Sequence, residues 1–294
     1  MPKITCFGEV LWDVFPNHQK IGGAPLNVAL RLHAFGNEVS VISSIGNDEL
    51  GKKLLEYIAD NGLNTDIIQI STSFKTGKVQ VTLNNKGSAS YDINFPSAWD
   101  YILLNDASID IVKKSDAFVF GSLATRNEVS KNTLFELLNH AQYKIFDLNL
   151  RPPHYTKEIL IDLMTKADFI KFNDDELYEA SAYLGSKYRS LEQNIHFISQ
   201  KTNTKHVCVT KGNHGAVLLY NDTFYYNSGY FINVVDTVGA GDSFLASLIS
   251  QLLNHINPQE AIDFACAVGA MVAQSEGANP ILLPTDILTF MHPK

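Results

Sequence analysis

Nine consecutive residues, Asp236-Thr237-Val238-Gly239-Ala240-Gly241-Asp242-Ser243-Phe244, carry the strongest chemical signal in the chain. The apolar run Tyr230–Val235 before them reads as a strand. After them Phe244, Leu245, Leu248, Ile249, Leu252 and Leu253 recur with the spacing of one buried helix face. Strand, glycine loop and helix start make a place for anions, because unpaired N–H groups leave the helix and glycines let a phosphate approach. An aspartate would repel a phosphate that the loop merely had to hold. Asp242 makes sense as a base that takes a proton from an attacking hydroxyl, while the N–H groups near Gly239, Ala240 and Gly241 stabilise a phosphoryl group in transfer. A plainer reading stays open, in which Asp242 is a first-turn acid favoured by the helix dipole.

Other segments offer hydrogen-bonding groups at strand ends and helix starts. Gly22-Gly23-Ala24-Pro25-Leu26-Asn27 lets a ligand reach the backbone and puts the Asn27 amide one turn into a helix; a tight turn explains the glycines equally well. Asp13 follows the first strand, where ligands of parallel sheets bind. Asp147, Asn149 and Arg151 alternate before Pro152-Pro153, which would put all three on one face. A guanidinium there suits a phosphate or a salt bridge. Asn173 with Glu176 reads as a capping box, or as a site near Mg²⁺ and nucleotide phosphates. Thr210-Lys211-Gly212-Asn213-His214-Gly215 reads as a hairpin loop able to flank a nucleotide.

Two look-alikes fail. A dinucleotide fingerprint would need glycine where Phe244 stands. The stretch Gly46–Lys53 nearly matches a P-loop, but Lys53 offers no hydroxyl to a metal, and Asp48 and Glu49 sit where phosphates would lie. An acidic helix start is the better reading.

The elements that must position these residues alternate. Strands are expected at Ile4–Val10, Val39–Ile45, Ala117–Gly121, Lys144–Leu148, Phe169–Phe172, His206–Thr210 and Ala216–Tyr220. Helices are expected at Pro25–Phe35, Leu50–Asn61, Lys131–Ala141 and Tyr155–Ala167. This is the pattern of an α/β fold with a mostly parallel sheet covered on both faces. Thr76–Asn94, alternating around Asn84-Asn85-Lys86-Gly87, reads instead as a hairpin. With Leu11–Ile21 it would form a small β subdomain, roughly 11–21 and 74–100, within one domain spanning 1–294.

The 294 residues are 45% hydrophobic and 18% charged, a globular composition. A net charge of -8 and the lack of basic runs argue against nucleic acid. Three scattered cysteines and a start without a charged leader point to the cytoplasm, with no membrane span. Arginine is scarce (Arg31, Arg126, Arg151, Arg189), which favours a neutral substrate over a phosphorylated one.

Together these segments resemble the phosphofructokinase-B family of small-molecule kinases, with the ribokinase-like fold. Gly22–Gly36 resembles its first signature and Asp236–Phe244 its second; Asn173 with Glu176 resembles its Asn-x-x-Glu motif, and Thr210, Lys211, Gly212 and Gly215 its nucleotide-side loop. The resemblance runs in order from Ile4 to Pro280. It implies a three-layer α/β/α domain with a β lid, and transfer of phosphate from ATP to a sugar hydroxyl. Asp242 would be the base, with Gly239, Ala240 and Gly241 as anion hole and Arg151 as added positive charge. Asp13, Gly22, Gly23 and Asn27 would hold the sugar, Glu176 would hold Mg²⁺ through water, and Asp236 and Val238 with carbonyls near Gly277 would hold a monovalent cation such as K⁺. The fructokinase branch is nearest, through Gly22–Pro25 and Asp147–Arg151. The chain departs from it between Asp92 and Asp100, which lacks the arginine often found on the lid. Kinases of 2-keto-3-deoxygluconate, ribose or a nucleoside, and a sugar- or nucleotide-binding regulator, are the rival readings. The intact Asp242 speaks against the regulator, and a homodimer stays open.

Overall fold

A computed structural model describes residues 1–83 and 89–292. The chain opens with β1 (Lys3–Phe7) and leaves the main sheet as β2 (Leu11–Val14) and β3 (Gln19–Gly22). It returns through α1 (Ala24–Ala34), β4 (Glu38–Gly46), α2 (Glu49–Asp60) and β5 (Ile68–Ser71), then leaves again as β6 (Gly77–Leu83) and β7 (Ala89–Ile93). Next come α3 (Asp106–Lys113), β8 (Ala117–Gly121), α4 (Glu128–Leu138), β9 (Lys144–Asp147), α5 (Lys157–Lys166) and β10 (Phe169–Asn173). They are followed by α6 (Asp174–Tyr183), α7 (Leu191–Thr202), β11 (His206–Thr210), β12 (Ala216–Tyr220) and β13 (Thr223–Asn227). Helices α8 (Ala240–Leu253), α9 (Pro258–Ala273) and α10 (Pro284–Met291) close the chain.

Among the described residues the main sheet runs β13-β12-β11-β10-β9-β8-β1-β4-β5, parallel except for β12, which is antiparallel to both β11 and β13. From β1 the chain winds outward to β4 and β5, and then resumes at β8 on the other side. That reversal opens a crevice beyond the carboxyl ends of β1 and β8, the usual place for a ligand in such sheets. One face packs Leu26, Leu30, Leu245, Leu248 and Ile262; the other packs Phe118, Phe146, Leu134, Leu163 and Ile198. Helices α1 and α8 lie against each other, which brings the two glycine motifs together.

The two excursions form one four-stranded sheet, β3-β2-β6-β7, over the crevice. β2 pairs in parallel with β6, so the two distant segments are joined by backbone hydrogen bonds. The expected turn Asn84–Gly87 lies outside the described residues. Arg126 secures the base of this sheet. Its guanidinium grips Asp100 in two bonds of 2.6 and 2.8 Å, donates to the carbonyls of Ile93 and Asn94, and lies 4.0 Å from the ring centre of Trp99. The segment that lacks an arginine of its own thus receives one from the turn after β8.

Three sequence expectations are corrected. The first strand stops at Phe7, because Gly8 (φ 143°) turns the chain. Tyr230–Val235 forms no strand: beyond the edge strand β13 it meets α9, where the N–H groups of Val235 and Asp236 both donate to the Ala273 carbonyl. The alternation from Asp147 to Arg151 also fails, since β9 ends at Asp147 and Asn149 takes a left-handed φ of 41°. The P-loop look-alike is a helix start. Asp48 caps α2 by accepting the Gly51 N–H at 2.9 Å and fastens Thr76 at the foot of the small sheet.

Candidate functional site

The packing of α1 on α8 sets the centre of the site. Asn27 Nδ2 donates to Asp242 Oδ2 at 2.8 Å, and Asn279 Nδ2 donates to Asn27 Oδ1 at 2.9 Å. Buried Arg31 fixes the same helices, donating from Nε to Ser243 Oγ and from Nη2 to the Pro280 carbonyl. Gly239 sits at φ 75° against Ala278, a place a side chain could not share. The N–H groups of Gly241 and Asp242 fall in the first turn, where the helix supplies no carbonyl. That of Ala240 turns back to the Thr237 carbonyl at 3.2 Å. Burial, and then the charge of Asp147, push Asp242 up to about 6, against the pull of Asn27, Lys171 and Arg151. A carboxylate so placed can accept a proton near neutral pH.

On the small-sheet side the register sets Asp13 opposite Lys20 and Leu11 opposite Gly22. A Cβ on Gly22 would collide with Asp13 Oδ2, and one on Gly23 (φ 110°) with the Glu9 carbonyl. Gly23 is therefore required sterically, since the atoms it meets are backbone, while a side chain at position 22 would displace the Asp13 carboxylate. Burial pushes Asp13 up to about 6, and Arg151 and Lys20 oppose it while Asp242 adds to it. Arg151 is exposed, and its charge acts on Glu9, Asp13 and Asp242 together.

Lys171 is a residue that sequence reasoning missed. It is buried on β10 and donates to Asp147 Oδ1 at 3.0 Å. A Cβ on Gly241 would lie 3.5 Å from its ammonium, so the charge stands against the glycine turn. Burial would lower this ammonium, but Asp147 and Glu176 outweigh it and the net direction is up. Only a polar residue breaking the apolar run Phe169–Phe172 hinted at this.

Asn173 and Glu176 form the capping box, with both reciprocal bonds at 2.8 Å. Glu176 Oε1 also accepts the Leu150 N–H, tying α6 to the loop that carries Arg151. Each Glu176 oxygen keeps a lone pair beyond its N–H partner, which fits a hydrated Mg²⁺ held through water better than a bare ion. Burial raises the Glu176 carboxyl.

A cavity of about 230 Å³ runs from Thr210, Gly212 and Gly215 to Ala240 and Gly241. Its walls are largely apolar, with Tyr230, Ile232 and Val234 on one side and Cys266, Gly269, Ala270 and Ala273 of α9 on the other. The run of small residues in α9 is the signal that could have found this wall. Gly215 packs against Asn227 and Gly229 with no room for a side chain. Lys211 is not among the lining residues and instead closes the hairpin, its N–H donating to the Gly215 carbonyl. At the far end of the loop Asp236 accepts the N–H groups of Val238 and Gly277.

A largely apolar cavity therefore leads to a helix start whose half-buried carboxylate, Asp242, accepts from the Asn27 amide. The pfkB carbohydrate kinase family matches residues 2–286, and the chain belongs to that family. It is similar to the protein named "Probable fructokinase-6, chloroplastic" of Arabidopsis thaliana, at 29% identity over 96% of this chain and 80% of that one. In structure it is similar to a Xylella fastidiosa fructokinase with bound ATP, with a TM-score of 0.87, 24% identity and 98% coverage of each chain. A Vibrio cholerae fructokinase double mutant holding fructose, ADP and a potassium ion gives a TM-score of 0.84 at 21% identity over 99% of each chain. The fold is ribokinase-like, and the enzyme is an ATP-dependent sugar kinase.

Proposed function

We propose that the sugar is fructose and that Asp242 is the base. The 2.8 Å contact of Asn27 with Asp242, next to the Gly241 end of the cavity, carries the assignment of the base; the choice of fructose rests on the likeness to fructokinases. Asp13 and Asn27 bind and orient the sugar hydroxyls, and the backbone at Gly22 and Gly23 lets the ring lie close. Asp242 withdraws the proton of the attacking hydroxyl as its oxygen bonds to the γ-phosphorus of ATP and the bond to the β-phosphate oxygen breaks, releasing ADP. The N–H groups of Gly241 and Asp242, with the Lys171 ammonium and Arg151, take up the charge on the phosphoryl oxygens. Bound Mg²⁺, held through water by Glu176, would screen the phosphate charge. Thr210, Gly212 and Gly215 flank the nucleoside, and the four-stranded sheet closes on the sugar as a lid that excludes water.

An ADP-release assay across a panel of sugars tests the substrate. Fructose should give the highest kcat/KM. A clearly higher value for ribose, 2-keto-3-deoxygluconate or a nucleoside would overturn the fructose reading and leave the kinase chemistry standing.

A further inference from the structure

The Asp236 carboxylate, assigned by family resemblance to a monovalent cation, already collects three donors of this chain. Oδ1 accepts the Val238 N–H at 3.0 Å; Oδ2 accepts the Gly277 N–H at 3.2 Å and stands 3.5 Å from Lys20 Nζ. A Cβ on Gly277 would lie 4.0 Å from the same ammonium. Nζ therefore lies beside both the Asp236 carboxylate and the Gly277 turn, the neighbourhood that the resemblance assigns to the cation. One carboxylate facing one ammonium is already neutral. A second cation brought here would meet Lys20 at close range, and like charges repel most where water is partly excluded.

We infer that Lys20 supplies, from lid strand β3, the positive charge otherwise expected of a monovalent ion, and that this chain turns over without potassium. Lys20 is a positioning residue. It holds Asp236 and through it the turn that presents Gly239, Gly241 and Asp242, and it touches no reacting atom. Its place on the strand explains the arrangement. β3 sets Lys20 across from Asp13 and ends in Gly22, so the strand that shapes the sugar side also delivers the ammonium to the loop.

The inference rests on the kinase reading only for its rate measurement. Wild type and Lys20→Met are compared in potassium chloride and in choline chloride at equal ionic strength, with melting temperature and kcat as readouts. Wild type should be indifferent to the salt in both. Lys20→Met should lose about tenfold in kcat in choline, recover most of it in potassium, and melt higher in potassium alone. Lys20→Gln serves as a second variant should methionine unsettle the strand. Potassium activation of the wild type by about fivefold or more, a potassium-dependent rise in its melting temperature, or a variant matching wild type in choline would overturn the inference. The melting arm needs no sugar. A chain inactive on every sugar of the panel would sink the functional reading and leave Lys20 still decided by that arm.

Discussion

The Asn27 amide stands 2.8 Å from Oδ2 of Asp242, although 215 positions of sequence separate them. The bond stabilises the ionised carboxyl, which burial and Asp147 push the other way. The balance leaves Asp242 at about 6, ionised at neutral pH yet basic enough to take a proton. Each term in that balance can be changed separately.

Asp242→Asn keeps the shape and removes the proton acceptor, so kcat should fall about 10²–10⁴-fold with sugar saturating. Stability should move the other way. The folded chain raises this carboxyl from 3.8 to about 6, so its stabilising protonated form is complete below pH 3.8 and lost as pH rises through 6. Asparagine stays neutral throughout. The variant should therefore exceed wild type by up to roughly 3 kcal/mol above pH 6 and match it below about pH 4. Denaturant melts at pH 4 and pH 7.5 check this, and near wild-type kcat would remove Asp242 from the chemistry.

The pH profile of kcat/KM should bend downward below about 6, where Asp242 takes up its proton. Asp13 also lies at about 6, and the two carboxyls act on each other, so the limb reports the pair. Asn27→Ala removes a donor that lowers Asp242 and should carry the limb to higher pH. A limb left in place would mean that another group controls the rate.

Asp13→Ala should raise the sugar KM about 10- to 100-fold while the ATP KM stays put, because a carboxylate on hydroxyls works in ground and transition states alike. Initial-rate measurements in both substrates decide it. Unchanged sugar kinetics would take Asp13 out of the pocket.

Lys171→Met should cost activity and stability for different reasons. Removing the ammonium beside Gly241 should lower kcat about 10²–10³-fold. It also leaves Asp147 buried without its partner, a loss on the order of 3–5 kcal/mol. Adding Asp147→Asn should restore the melting temperature and leave kcat low. Recovery of both would assign Lys171 a purely structural part.

The local readings came from patterns that a short stretch of chain can satisfy alone. Strand–helix alternation and the box of Asn173 and Glu176 are fixed by neighbours within a few residues, so residue order reveals them. What escaped depends on distance in the chain. Lys171 gains its meaning from Asp147 and Gly241, and Arg126 from Asp100 and Trp99; neither partner lies within hydrogen-bonding reach until the sheet and helices pack. Tyr230–Val235 looked like a strand because its residues are apolar, but its surroundings beside α9 made it a cavity wall. Asp236 could be picked out from its motif, while the ammonium that faces it arrives from a strand 216 positions away. Composition and spacing decided which chemistry the chain is equipped for, since these follow from residue type and local backbone preference. Tertiary packing decided which charges meet, because burial and Coulomb interaction depend on separation in space.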